Sequence, residues 1–110
     1  MDLYEEIQRL TNELDLSVKN LRKSGTEYAE AERLYKIELC KKALKLKDEG
    51  VPATLVSKVV YGVQEVANLR YTRDVKEAIY KANLESINST KLKLRLLEEQ
   101  LEREWGQAKR

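Results

Sequence analysis

The stretch from Val63 to Trp105 runs for 43 residues without a glycine or a proline. It is rich in Leu, Lys, Glu, Arg and Ala, which have high helix propensity, so it predicts one uninterrupted helix. Such a helix would be roughly 65 Å long, about twice the width of a compact domain of this size. It therefore needs a partner along its length, either from the same chain or from a second copy.

The composition of the 110-residue chain favours long helices. Charged residues make up 36% and hydrophobic residues 42%, with four glycines and one proline, a profile that suits helices better than disorder. The net charge is only +2, so no strong field draws the whole chain to nucleic acid or membrane. We expect a single domain over residues 1–110, with a core small enough for self-association to add useful stability.

Histidine is absent and Cys40 is the only cysteine. The commonest general base at neutral pH and the commonest metal ligand are therefore missing, and Cys40 is expected to be a small buried residue. The sequence also lacks a phosphate-cradling glycine loop and a Gly-x-Ser-x-Gly motif. We expect no enzymatic activity, no metal site and no cofactor. Without an apolar N-terminal segment or an apolar run of about 18 residues, the chain is predicted to be cytoplasmic and free of membrane contact.

Two helices are predicted in the first half of the chain. Apolar residues recur at steps of three or four over residues 2–23 and again over 26–48, which is the spacing of a helical stripe. Between them, Ser24 followed by Glu27 fits a capping box, so the second helix is expected to begin there.

The turn after the second helix is marked by Gly50 and Pro52. Glycine is the residue expected just beyond a helix end, and proline stops a helix and can open the next one at its first turn. Residues 53–61 predict either a separate short helix or the start of the long helix over 63–105. Gly62 would weaken a helix at that point without necessarily ending it.

Two all-α architectures fit these segments. In a long antiparallel helical hairpin, the first two segments stack end to end against the long helix, which places Leu10 near Leu92 and Glu32 near Arg70. In a three-helix bundle, the first segment folds back instead. The long helix, of about 40 residues, also has a and d spacings that predict a coiled-coil-like seam near its end. The seam residues are Ile87, Thr90, Leu94, Leu97 and Leu101.

Leucines near the end of the long helix occupy more than one face. One partner helix cannot cover them all, so we expect a homo-oligomer, with a dimer as the simplest case. Trp105 is expected to plug the end of the coil. The predicted oligomer interface comprises Leu92, Leu94, Leu96, Leu97 and Leu101.

A polar stripe flanked by tyrosines runs along the long helix. It is either a solvated face with ion pairs worth only ~0.3–0.5 kcal/mol each or a surface that contacts a partner. The candidate binding residues are Arg70, Tyr71, Arg73, Tyr80, Lys81, Lys91 and Arg95. A lysine cluster near the turn suits the helix dipole and is also a candidate nucleic-acid contact. It comprises Lys41, Lys42, Lys45 and Lys47.

Six short segments between about Tyr28 and Gly106 form a recognisable set. They are Glu30-Ala31-Glu32 through Tyr35, Glu49-Gly50-Val51-Pro52, Gly62 to Leu69, Arg73-Asp74 with Tyr80, Lys91 through Arg95, and Arg103-Glu104-Trp105. In these segments the chain resembles small helical proteins encoded by phages and prophages of Gram-positive bacteria. The resemblance implies a phage context and no particular site residues. Small accessory proteins of phages often bind and block host factors, including immune nucleases, or assist phage DNA metabolism.

Together these features predict a non-enzymatic phage accessory protein that acts in the host cytoplasm. Its expected partner is a host protein, either a defence component blocked in an anti-CRISPR-like manner or a DNA-replication factor. One alternative is a nucleic-acid-binding helper in phage DNA metabolism. Another is a sponge that holds a small nucleotide immune signal between subunits.

Overall fold

The computed structural model describes residues 2–108, and over that range the protein is all-α. Helix α1 spans Leu3–Asp48, α2 spans Ala53–Val59 and α3 spans Gln64–Ala108, with a 3-10 turn, Val60–Gly62, before α3. The predicted fold class and the predicted long helix are therefore confirmed. None of the described helices combines the length and apolarity needed to cross a bilayer.

The described chain divides into two compact units. One is Ser24–Tyr80, which we call the turn unit, and the other joins residues 2–23 to residues 81–108, which we call the terminal unit. Each unit thus contains one part of α1 and one part of α3. The assignment of all residues to a single domain stays a prediction.

Helix α1 is continuous through Ser24 and Gly25, so the predicted separation into helices over 2–23 and 26–48 is wrong. A fold-back of the first segment would need a turn there, and the helix continues instead. Ser24 is buried, and Glu27, which a capping box would use, lies 3.2 Å from the ammonium group of Lys76 on α3. Glycine within a helix costs about 1 kcal/mol, and the contacts with α3 offset that cost.

The end of α1 follows the prediction for Gly50. This residue has a φ of +94°, the left-handed conformation that glycine adopts without a steric penalty. The Gly50 amide donates to the Lys47 carbonyl at 3.0 Å, and the Val51 amide donates to the Leu46 carbonyl at 3.1 Å. These two bonds form a Schellman motif, which satisfies carbonyl groups left open at the helix end.

The segment after Pro52 is a separate short helix and not the beginning of α3. Pro52 stands at the N-cap of α2. Its carbonyl accepts hydrogen bonds from the backbone amides of Leu55 and Val56 at 2.9 and 3.0 Å. After the 3-10 turn, Val63 adopts an extended backbone (φ −64°, ψ 128°). The helical backbone is interrupted at this extended residue, between the 3-10 turn and α3. Gly62 alone does not cause the interruption.

The core of the turn unit consists of Tyr35 from α1, Val60 from the 3-10 turn and Val66 from α3. Contacts fall at descending positions on α3 as they rise on α1, so these two segments are antiparallel. Glu32 lies 3.6 Å from Arg73, and Lys42 lies 4.0 Å from Glu65. The predicted pairing of Glu32 with Arg70 is therefore wrong by three residues, about one helical turn.

The terminal unit buries Leu10 of α1 and, on α3, Ile87, Thr90 and Leu94. The Thr90 hydroxyl donates to the Ser86 carbonyl at 3.0 Å, which satisfies its hydrogen bonding within its own helix. Leu97 and Leu101 are half-buried on the same stripe. The predicted a and d seam is confirmed.

Candidate protein-binding surface

Arg73 and Tyr80 were predicted to belong to an outer binding surface, but they face α1 inside the turn unit. The Arg73 guanidinium lies 4.6 Å above the Tyr35 ring and contacts Glu32 at 3.6 Å and Asp74 at 2.8 Å. The hydrogen bond that Arg73 donates to Asp74 is the largest cause of a raised Arg73 pKa. An arginine with these contacts and a side chain only 20% exposed holds the two helices together, so it is not free to bind a partner.

Tyr80 packs beside Tyr28 with ring centroids 6.0 Å apart. The Tyr80 ring packs against α1 at Gly25, where an added Cβ atom would lie 3.4 Å from Tyr80 Cε2, at van der Waals contact. The Tyr28 hydroxyl donates to Glu77 Oε2 at 2.7 Å. That hydrogen bond, followed by burial, raises the pKa of Tyr28. We call these cross-helix contacts, together with Glu27–Lys76 and Glu32–Arg73, the polar layer of the turn unit.

The polar layer turns the apolar residues of α3 outward. Tyr71 and Val75 each lie two residues from Arg73, and therefore about 200° around the helix from it. Tyr71 is 72% exposed, Val75 39% and Ile79 43%. Val75, Ala78 and Ile79 are exposed, although the apolar stripe of a helix usually faces the core. The reason is that the partner segment of α1 presents Glu27, Tyr28 and Glu32, which pair with polar residues of α3.

We call Tyr71, Val75, Ala78 and Ile79 the outer apolar face of the turn unit. Exposed uncharged residues of α3 extend this face toward its N-terminal side, namely Gln64, Ala67, Asn68 and Thr72. The exposed charged residues Arg70 and Asp74 border it. The sequence signal that could have identified this face is the matched order of opposite charges on α1 and α3, Glu27 with Lys76 and Glu32 with Arg73.

The other predicted binding residues are distributed between the two units. Arg70 is exposed, with its guanidinium 5.4 Å from the Tyr61 ring centroid. Lys81, Lys91 and Arg95 are exposed residues of the terminal unit. The seven residues predicted as one stripe therefore comprise an inner pair, Arg73 and Tyr80, and outer residues, of which Tyr71 belongs to the outer apolar face.

The lysine cluster near the turn does not form one basic patch. Lys41 and Lys45 lie one turn apart on α1, whereas Lys47 is about 120–160° around the helix from them. Lys42 lies 3.6 Å from Glu38 and 4.0 Å from Glu65, so its charge is partly neutralised within the unit. The exposed lysines Lys41, Lys45 and Lys47 could not all contact one straight phosphate backbone at the same time.

The predicted oligomer interface is also divided. Leu94 is buried and Leu97 and Leu101 are half-buried along the seam, so Leu94 is unavailable to a second chain. Leu92 and Leu96 are 47% and 54% exposed. Of the five leucines, these two retain the exposure that an intermolecular contact requires.

Cys40 is exposed, contrary to the expectation that it is buried. It lines a shallow cavity of about 220 Å³ in the turn unit. The other lining residues are Ala43, Leu44, Lys47, Ala53 and Val56. Within residues 2–108, no three acidic or cysteine side chains are grouped so that they could hold a metal ion.

Comparison with known proteins adds no relative to this description. No protein-family profile, no curated protein and no solved structure matches the chain. The contacts and exposed surfaces described above are therefore the basis for assigning a function.

Proposed function

We propose that this chain is a non-enzymatic phage accessory protein that binds a host protein in the host cytoplasm and blocks or modulates it. The target is a defence component, inhibited in an anti-CRISPR-like manner, or a DNA-replication factor. Occupancy of a surface on the target is the mechanism, so no residue of this chain needs to take part in bond making or breaking.

The outer apolar face of the turn unit is the observation that carries this proposal. Tyr71, Val75 and Ile79 are exposed side by side on a helix whose opposite side is held by ion pairs. Charged residues are depleted at the centres of protein interfaces, and tyrosine is enriched among the residues that dominate binding energy. An amphipathic helix presenting anchors at steps of four residues suits an apolar groove on a partner.

The polar layer supports this role because it fixes the side of α3 that faces outward. Turning α3 to bury Val75 would remove Arg73 from Glu32 and Tyr35 and would leave charged groups without their partners. Unpaired charged groups are costly to bury. The outer apolar face is therefore presented in a fixed orientation before a partner arrives, which reduces the ordering cost of binding.

The experiment compares capture by the wild-type protein with capture by Tyr71→Asp and Lys19→Glu variants. Immobilised proteins are incubated with lysate from a Gram-positive host, and captured proteins are identified by mass spectrometry. A specific target should be retained by the wild type and by Lys19→Glu, and lost with Tyr71→Asp. Circular dichroism should show the same helix content in all three proteins, because both substituted side chains are exposed.

The captured target is then purified and its own activity is measured against increasing amounts of this protein. The proposal expects inhibition or modulation that saturates at a fixed stoichiometric ratio and is lost with Tyr71→Asp. Equal capture by wild type and Tyr71→Asp would refute the role of this face. A captured target whose activity is unaffected at saturation would refute blocking as the mechanism.

A further inference from the structure

The cavity at Cys40 has the size and lining of a receptor for an aromatic side chain. Its volume is about 220 Å³, and five of its six lining residues are apolar or weakly polar. For comparison, an apolar cavity of roughly 150 Å³ can accommodate benzene. Leu44 is 57% exposed at this cavity, and Lys47 supplies a positive charge to its lining.

The part of α1 that lines the cavity is basic. Residues 40–47 contain four lysines and no acidic residue, and Asp48 and Glu49 follow them. Glu38 lies 3.6 Å from Lys42, a residue that does not line the cavity. A partner that places an aromatic ring in the cavity therefore gains affinity if carboxylates flank that ring.

The end of α3 has this complementary chemistry. Residues 98–105 contain four glutamates, one arginine and Trp105. Trp105 is 64% exposed, so the expectation that it plugs the end of a coil is wrong. It lines an open depression with Leu101 and Glu102. Glu98 and Glu102 precede Trp105 by seven and three residues, which places all three on one side of the helix.

We propose that Trp105 of one copy of this protein inserts into the Cys40–Leu44–Val56 cavity of a second copy. Lys47 of the receiving copy then faces Glu98 and Glu102 beside the inserted ring. The contact joins two different surfaces, so it is heterologous, and repetition produces rings or open chains of molecules. This surface is separate from the outer apolar face, so self-association does not depend on the proposed host target.

The first test uses Trp105 itself, because it is the only tryptophan of the chain. Its fluorescence emission should shift to shorter wavelength as protein concentration rises, and sedimentation velocity should show larger species over the same range. Added salt should weaken both changes, because surface charge pairs are screened. Trp105→Ala should remain a monomer. Unchanged emission up to millimolar concentration would overturn the proposal, as would undiminished association of Trp105→Ala.

The second test reverses one charge on each side. Lys47→Glu and Glu102→Lys should each raise the dissociation constant for self-association roughly tenfold or more. When the two variants are mixed, the first supplies a wild-type tail and the second a wild-type cavity. The mixture should therefore form pairs that neither variant forms alone. The exposed substitution Lys19→Glu is the control and should associate like the wild type.

The mixing result also separates this arrangement from other occupants of the cavity. A symmetric dimer through Leu92 and Leu96 would be unaffected by Lys47→Glu, and mixing would restore nothing. A cavity used only by a foreign acidic partner would leave the wild-type protein monomeric at every concentration. Either outcome would overturn the proposal. Neither outcome bears on capture of a host protein through Tyr71.

Discussion

The two units pair α1 with α3 by different chemistry. In the terminal unit the buried side chains are Leu10 on α1 and Ile87, Thr90 and Leu94 on α3, with Thr90 bonded to its own helix. In the turn unit, a small core of Tyr35, Val60 and Val66 is followed by the polar layer. One pair of helices is therefore joined by two kinds of seam, one mainly apolar and one largely made of charges and tyrosines.

The difference shows that one unit sets the alignment of the two helices, whereas the other mainly adds hydrophobic stabilisation. Apolar side chains contribute stability in proportion to buried area, but a leucine seam tolerates several alignments. Ion pairs and hydrogen bonds have stricter geometry. Glu27–Lys76 and Glu32–Arg73 fix the alignment of the two helices, and Glu32–Arg73 lies about one turn from the pairing predicted from segment lengths. The polar layer therefore contributes specificity, and the apolar seam contributes most of the hydrophobic stabilisation of its unit.

The largest expected effect comes from breaking the apolar seam. Leu10→Ala should lower the free energy of unfolding by about 2–5 kcal/mol, because it leaves a cavity in a buried contact. The matched control is Leu16→Ala, since Leu16 is on the same helix and is 60% exposed. Its effect should be below about 1 kcal/mol. Urea denaturation followed by circular dichroism measures both, and equal effects would show that Leu10 is not buried.

An intermediate effect is expected from breaking the polar layer. Arg73→Ala should lower the free energy of unfolding by about 1–2 kcal/mol, since it removes a cation–π contact and leaves Glu32 without its cross-helix partner. Arg70→Ala is the control, because Arg70 is exposed and makes only a longer cation–π contact, 5.4 Å from the Tyr61 ring, and it should cost about 0.5 kcal/mol. If Arg73→Ala proved as mild as Arg70→Ala, the polar layer would have no measurable role in stability.

Two glycine substitutions, one within α1 and one just after its end, should change the stability of the protein in opposite directions. Gly25→Ala should stabilise the protein by about 0.5–1 kcal/mol, because alanine favours a helix and its Cβ atom meets Tyr80 only at 3.4 Å. Gly50→Ala should destabilise it by about 1 kcal/mol or more, because the φ of +94° disfavours a side chain. Thermal unfolding measures both. Destabilisation by Gly25→Ala would indicate that the helix needs flexibility there.

The smallest effect concerns pH. Tyr28 is neutral below its pKa, and its pKa is raised in the folded protein by the hydrogen bond to Glu77. Its contribution to stability is therefore fully present below the unfolded value of about 10 and is lost as pH rises through the higher folded value. Tyr28→Phe should reduce the loss of stability between about pH 9 and 11. Identical pH profiles for both proteins would contradict this account.

The outer apolar face illustrates why site prediction from the sequence fell short. Helical periodicity shows that Val75, Ala78 and Ile79 share a face, but it does not show which element lies opposite. The usual rule places apolar residues inside because burial of apolar area is favourable. Here the opposing segment of α1 carries Glu27, Tyr28 and Glu32, so the matching side of α3 is polar. Pairing between distant residues decided the orientation.

The sequence by itself determined the features that depend on local backbone energetics. It specified the all-α class, the long helix predicted over residues 63–105, the stop at Gly50 and the leucine seam, because propensity, glycine conformation and periodicity act over a few residues. Only the tertiary structure decided the continuity of α1 through Gly25, the alignment of Glu32 with Arg73 and the exposure of Val75 and Trp105. Those features depend on contacts between residues far apart in the chain, and their energies are comparable to the local preferences that they override.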